Sequence, residues 1–292
     1  MPVALVLLLA FIGFNAISVY TSDFFLEPRL PADKEVNILT EVNNQQAKKQ
    51  KKGQEDFARE VSALKAELEQ MPGLKKTYAG LDSDPEKVIY LTFDDGPSAS
   101  VTNDILDVLD YYGIKATFFV IGARALAYPE VVRRIHAAGH AIGNHTYNHN
   151  YKSIYRNLDT FTKDFQAAQE AIFSVTGEYP RLYRYAGGSL TARNYAGRST
   201  RKQFDQYLWQ QGIQYFDWNI DSGDARGGKV TVDSITGQTI RQLKTRQKAI
   251  ILMHDFKYRQ STAKALPGII ETLLEKGYVF STLSPSGYTV QH

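Results

Sequence analysis

Residues 88–100 read VIYLTFDDGPSAS. Val88, Ile89, Leu91 and Phe93 form an apolar run rich in strand formers, and the run ends in Asp94, Asp95, Gly96 and Pro97. Two carboxylates this close repel each other, and burying either without a partner is costly. A bound cation, or a proton in transit, would resolve the cost. The stretch therefore reads as a buried strand whose C-terminal end carries chemistry.

Downstream, comparable β-rich runs lie at 115–121, 181–185, 214–220, 248–253 and 278–283, with a shorter one at 140–144. Helical periods separate them near 101–111, 129–137, 158–175, 200–211, 232–246 and 262–275. Such alternation predicts parallel strands covered by helices, as one α/β domain that is either a barrel or a doubly wound sheet. In both, functional groups gather at the C-terminal ends of strands, where Asp94 and Asp95 fall.

The chain has 292 residues, a formal net charge of +3 and no cysteine. Disulfides, thiolate nucleophiles and cysteine-ligated metals are excluded, so any metal must be held by His, Asp or Glu. The near-neutral charge gives no case for a nucleic-acid partner. Residues 3–20, VALVLLLAFIGFNAISVY, precede the first charged side chain, Asp23. As a helix this run is long enough to cross a bilayer. It predicts a signal anchor over 1–22, or a signal peptide with Ala16–Ser18 as its cleavage site; the competing reading is a buried helix. The expected location is then the cell membrane, single-pass with the catalytic part outside, or secretion after cleavage. Residues 23–85 read as a stalk, with a heptad-spaced stripe at Phe57, Val61, Leu64, Leu68 and Met71 that ends at Pro72-Gly73. The catalytic domain is expected over 86–292.

Four further segments carry reactive side chains. GNHTYNH (143–149) holds His145 and His149 at i and i+4, which on a helical turn shares one face and one metal. LYRYAGGS (182–189) ends a strand in Arg184, able to hold a carboxylate ionised, followed by Gly187-Gly188, where backbone N–H groups can approach a substrate. DWNIDSGDA (217–225) brings Asp221 and Asp224, and IILMHD (250–255) ends a very apolar strand in His254. Two His with one carboxylate and open positions form a recurrent catalytic metal site. One Asp of the pair could be a ligand and the other a base beside it.

TFDDG, HTYNH, RYAGG, DSGDA and LMHD, in this order, resemble the five motifs of the polysaccharide deacetylases (the NodB-homology family, carbohydrate esterase family 4) over roughly residues 86–285. The resemblance implies a distorted (β/α) barrel of about seven parallel strands and removal of N-acetyl groups from amino sugars, or of O-acetyl groups from xylan. It implies Asp95, His145 and His149 as ligands of a divalent metal, usually zinc; cobalt, nickel or manganese suit the same donors. It implies Asp94 as general base, oriented by Arg184. The N–H near Gly187 would hold the oxyanion, His254 tuned by Asp224 would be the general acid, and Leu252 would line the acetyl pocket. Two departures stand out. Ala186 and Gly187 replace the usual Pro and Tyr, and Ala225 replaces a Trp that walls the groove; Trp218 is the candidate substitute.

The expected substrate is an acetylated amino-sugar polysaccharide of the cell envelope, with peptidoglycan first and chitin fragments, an exopolysaccharide or acetylated xylan as alternatives. A metal-free glycosidase built on paired carboxylates is a competing class. It leaves the His pair unexplained. A non-catalytic glycan-binding module is the third.

Overall fold

A computed structural model describes residues 87–227 and 230–292. The expected N-terminal apolar helix and stalk lie outside the described residues. Among the described residues, no helix is long and apolar enough to cross a membrane.

The opening stretch forms strand β1, Val88–Asp94, with every residue buried. Burial on both faces explains why it reads as a continuous apolar run rather than an alternating one. Fully burying side chains such as Ile89, Leu91 and Phe93 stabilises by about 1.5–3 kcal/mol each, enough to offset ordering costs of roughly 1–2 kcal/mol per residue. The partners of β1 are β2 (Thr117–Val120), β7 (Lys248–His254) and β8 (Val279–Phe280). β7 runs along its full length, whereas β8 pairs only Val88 and Ile89, and β2 pairs Thr92 to Asp94. The remaining strands are β3 (Ala141–Asn144), β4 (Leu182–Tyr183), β5 (Gln214–Tyr215) and β6 (Ile220–Asp221). All pairings are parallel, in the order β5-β4-β3-β2-β1-β7-β6, with β8 beside β1.

That order decides between the two expected architectures. β5 and β6 sit at opposite edges of the sheet, yet only residues 216–219 join them. An extended chain covers at most about 18 Å from Tyr215 to Ile220. Seven strands laid flat would hold those edges about 29 Å apart. The sheet must therefore curl, and it forms an incompletely closed barrel whose seam is the 216–219 crossing. The expected 214–220 strand is split by this crossing into two short ones.

Helices α1 (Val101–Tyr112), α2 (Gly122–Ala127), α3 (Pro129–Ala137), α4 (Tyr151–Ile154), α5 (Leu158–Thr176), α6 (Gly188–Ala196), α7 (Arg198–Gln210), α8 (Val232–Leu243) and α9 (Gln260–Glu275) connect the strands. Six were expected; α2, α4 and α6 are short and start at glycines or within motif loops. α5 illustrates the local logic. The Asn157 side chain accepts from the Thr160 N–H while the Thr160 hydroxyl accepts from the Asn157 N–H, and Gly177 ends the helix with φ of 76°. Its buried face, including Phe161, Phe165 and Ile172, packs toward the barrel, and the Phe161 and Phe204 rings stack at 4.2 Å.

Candidate metal centre and active site

Strand register places the first two reactive groups. Asp94 and His254 are in register at the C-terminal ends of the neighbouring strands β1 and β7, and Thr92 and Leu252 are in register one pleat deeper. Because side chains alternate, Thr92 and Asp94 share a face, as do Leu252 and His254. Arg184 follows β4 and is fully buried. One terminal nitrogen donates to Asp94 Oδ1 at 2.8 Å and to Thr92 Oγ1 at 2.7 Å. Its Nε and other terminal nitrogen donate to the carbonyls of Phe216 and Asp217 in the seam, at 3.0 and 3.1 Å. Thr92, whose role was not read from sequence, completes the relay by donating to the Ile251 carbonyl at 2.7 Å.

Asp95 leaves β1 with φ of 71°, and His149 has φ of 57°. Left-handed backbone is unfavourable for these residues and here turns both side chains toward one point. The helical-face reading of the His pair is corrected: residues 145–150 form a loop, not a helical turn. Short hydrogen bonds fix that loop. Asn144 Oδ1 accepts from the Thr146 N–H at 2.8 Å, and Asp164 on α5 accepts from the Tyr147 N–H at 2.8 Å. Asp164 is a second group with no signature in the sequence, since it acts from a helix remote in the chain.

The outcome is a three-residue cluster. His145 Nε2 and His149 Nε2 lie 3.3 and 3.0 Å from Asp95 Oδ1, and His145 Nε2 is 3.8 Å from Asp94 Oδ2. One donor atom from each of Asp95, His145 and His149 falls within 4.8 Å of the others. His145 Nδ1 lies 2.9 Å from the Arg184 carbonyl, which can only accept. Nδ1 therefore carries the proton, and the Nε2 lone pair is left for the cluster.

These residues fit a divalent cation. Asp95 Oδ1 is buried and has no hydrogen-bond partner, although two imidazole nitrogens stand beside it. An orphaned buried carboxylate oxygen beside two imidazole nitrogens is costly without a cation. Burial opposes ionisation of Asp95, but the two imidazoles outweigh it and hold the carboxyl well below the usual range. Burial likewise opposes a positive His145, and the Asp94 and Asp95 carboxylates outweigh it. The site calls for positive charge where the three donors meet. Asp and His donors suit zinc and other first-row divalent ions.

On the opposite side, Asp224 is fully buried and holds His254 twice. Its Oδ1 lies 2.8 Å from Nδ1, and its Oδ2 accepts from the His254 N–H at 2.7 Å. Thr262 Oγ1 donates to the same Oδ2 at 2.8 Å. Burial alone would lower the imidazole pKa; the Asp224 carboxylate outweighs it and pushes it up to about 9. Nδ1 faces Asp224, so Nε2 is the atom free to exchange a proton at the site.

The other expected groups are placed as follows. Gly187 has φ of 71° and precedes α6. Leu252 is buried below His254. Trp218 is half-buried and packs with the core cluster that holds Phe119, Leu182 and Phe216. A Cβ on Gly188 would meet its ring at 2.8 Å. At Ala225 the carbonyl accepts from Arg259, whose guanidinium lies 4.8 Å over the Phe256 ring. Phe256 in turn stands 5.9 Å from His254. Asp221 is a turn residue, its Oδ1 accepting from the Gly223 N–H.

A family model for polysaccharide deacetylases matches residues 82–203. A peptidoglycan-N-acetylglucosamine deacetylase of Bacillus cereus is 34% identical over 197 residues, covering 66% of this chain and 68% of that protein. A peptidoglycan-N-acetylmuramic acid deacetylase of Bacillus subtilis is 36% identical over 201 residues, 68% of this chain and 38% of the relative. Among solved structures, the catalytic domain of a peptidoglycan N-acetylglucosamine deacetylase from Eubacterium rectale superposes with a TM-score of 0.65 at 31% identity, covering 70% of this chain and 92% of that one. With its curled parallel sheet and its five motifs at one mouth, the chain belongs to the polysaccharide deacetylase family, hydrolases of carbon–nitrogen bonds other than peptide bonds.

Proposed function

We propose that this protein removes N-acetyl groups from an N-acetylglucosamine-containing polysaccharide, with peptidoglycan as the foremost substrate, and that it needs a divalent metal, zinc first. The observation that carries the reading is the convergence of Asp95, His145 and His149 between an Arg184-held Asp94 and an Asp224-held His254. The names of the relatives support the choice of polymer.

When bound at Asp95, His145 and His149, a divalent cation supplies Lewis-acid polarisation of the acetyl carbonyl and a water of lowered pKa. Asp94 stands beside that triad and accepts the proton of the attacking water, while the Arg184 hydrogen bond aims the carboxylate. The backbone N–H at Gly187 donates to the carbonyl oxygen as it gains charge. His254 Nε2 hands a proton to the departing nitrogen, and Asp224 stabilises the imidazolium before transfer. The sum is one water and one acetamide giving acetate and a free amine.

The chain would act outside a membrane, with residues 1–22 as signal anchor or signal peptide, 23–85 as stalk and 86–292 as the catalytic unit. The support for this arrangement is the apolar run at 3–20 and the polar composition after it. The test is acetate release by the full chain from purified peptidoglycan, chito-oligosaccharides and acetyl-xylan, with and without chelator. Release from peptidoglycan that a chelator stops and zinc restores is the expected result. Chelator-resistant cleavage of glycosidic bonds, or no acetate from any polymer, would sink the proposal.

A further inference from the structure

Tyr151 heads α4, two residues past His149, and no part of the mechanism above uses it. Its ring stands 5.2 Å from the His149 ring and 5.7 Å, edge-on, from Tyr195 in the last turn of α6. The phenol reaches across to the next motif. A Cβ placed on Gly187 would lie 2.9 Å from Tyr151 Oη and 3.0 Å from Cζ. The hydroxyl thus occupies the space a side chain at 187 would take, directly over the backbone that lines the site. No hydrogen bond within the described residues uses it. Tyr151 is half-buried, and Tyr195 is half-exposed, at 50%. Packing holds both in place: Tyr151 stacks on the fully buried Tyr155, whose hydroxyl donates to the Ala186 carbonyl at 2.9 Å, and Tyr195 lies 6.5 Å from the same ring.

We infer that Tyr151 and Tyr195 form the wall of a sugar-binding subsite on the Gly187 side of the metal centre, with the Tyr151 hydroxyl donating to a substrate oxygen. The chemistry fits an amino sugar. Aromatic rings offer an apolar face to the C–H side of a pyranose, and an unspent O–H offers orientation. Gly187 permits the arrangement because any larger residue there would push the phenol away. The inference rests on the deacetylase reading for the identity of the ligand, but its readout is binding.

The test uses the zinc-loaded full chain carrying Asp94→Asn, so that ligand is bound without turnover, titrated calorimetrically with tetra-N-acetyl chitotetraose. Adding Tyr151→Phe, which keeps the ring and its packing, is expected to weaken binding about three- to tenfold through the lost hydrogen bond. Adding Tyr195→Ala is expected to weaken it about two- to tenfold through the lost ring contact. Zinc affinity, measured separately, should be the same in all three proteins. Unchanged oligosaccharide affinity in both variants, or no binding by the parent, would overturn the subsite. Absence of acetate release by the wild-type chain would overturn the catalytic reading alone, since the binding comparison still stands.

Discussion

Arg184 and Asp94 form an ion pair at 2.8 Å in which neither side chain meets bulk solvent: the arginine is fully buried and the aspartate 3% exposed. Such a pair is expensive to break from one side, because the survivor is left charged and buried. Arg184→Met also strands the Phe216 and Asp217 carbonyls and is expected to cost about 3–5 kcal/mol, read as a lower urea midpoint. Asp94→Asn keeps an oxygen for Arg184 and leaves the triad intact. It should retain zinc, while acetate release falls about 10²- to 10⁴-fold. A fully active Asp94→Asn protein would remove Asp94 from the role of base.

Metal binding at Asp95, His145 and His149 can be tested without turnover. A ligand that binds only the folded chain stabilises it by about 2.7 kcal/mol at a hundredfold excess over Kd. Zinc should therefore raise the melting temperature of the wild-type protein and of Asp94→Asn, but not of His145→Ala or Asp95→Ala. Equal zinc-dependent shifts in His145→Ala would place the ion elsewhere.

His254 sets an alkaline limit. Its pKa rises from 6.5 to about 9 on folding, so its pairing with Asp224 contributes stability that is full below about 6.5 and lost as pH rises through about 9. In the proposed mechanism the same proton is delivered to the leaving nitrogen, so kcat/KM should decline above about 9. Asp224→Asn removes the largest influence that opposes burial, and the decline should begin at a lower pH. An alkaline limb that stays near 9 in that variant would assign the titration to another group.

How much of this could be read from the residues varies with how local the cause is. β1 is set by its own apolar run and was legible within one residue at its end. The pairing of Asp94 with His254 depends on register between strands about 160 positions apart, which no local pattern encodes; only the order of the motifs pointed there. The i, i+4 spacing of His145 and His149 suggested a helix, but Asp164 and Asn144 hold those residues as a loop and left-handed φ values bring the rings together. Tyr151 escaped notice because its relevance comes from a missing side chain at Gly187, a relationship that exists only once the two loops touch.

Gly96 illustrates a position where space rather than backbone freedom dictates the residue. A Cβ there would lie 2.0–2.3 Å from the three carboxylate atoms of Asp255, itself fully buried and held by Thr102 at 2.7 Å. Gly96→Ala should destabilise by at least about 1–3 kcal/mol, the usual cost of overpacking, and weaken zinc binding through the displaced Asp95. A variant with wild-type urea midpoint and zinc affinity would show that Asp255 can yield.

The four residues that carry the chain from one sheet edge to the other give this protein an uneven tolerance for change. Two of their carbonyls, those of Phe216 and Asp217, are gripped by the same guanidinium that holds Asp94, so slack introduced between Phe216 and Asn219 would loosen the aim of the proposed base along with the closure of the barrel. A tag or loop graft placed there would act as an inhibitor built into the chain, although it would replace none of the residues that converge on the site.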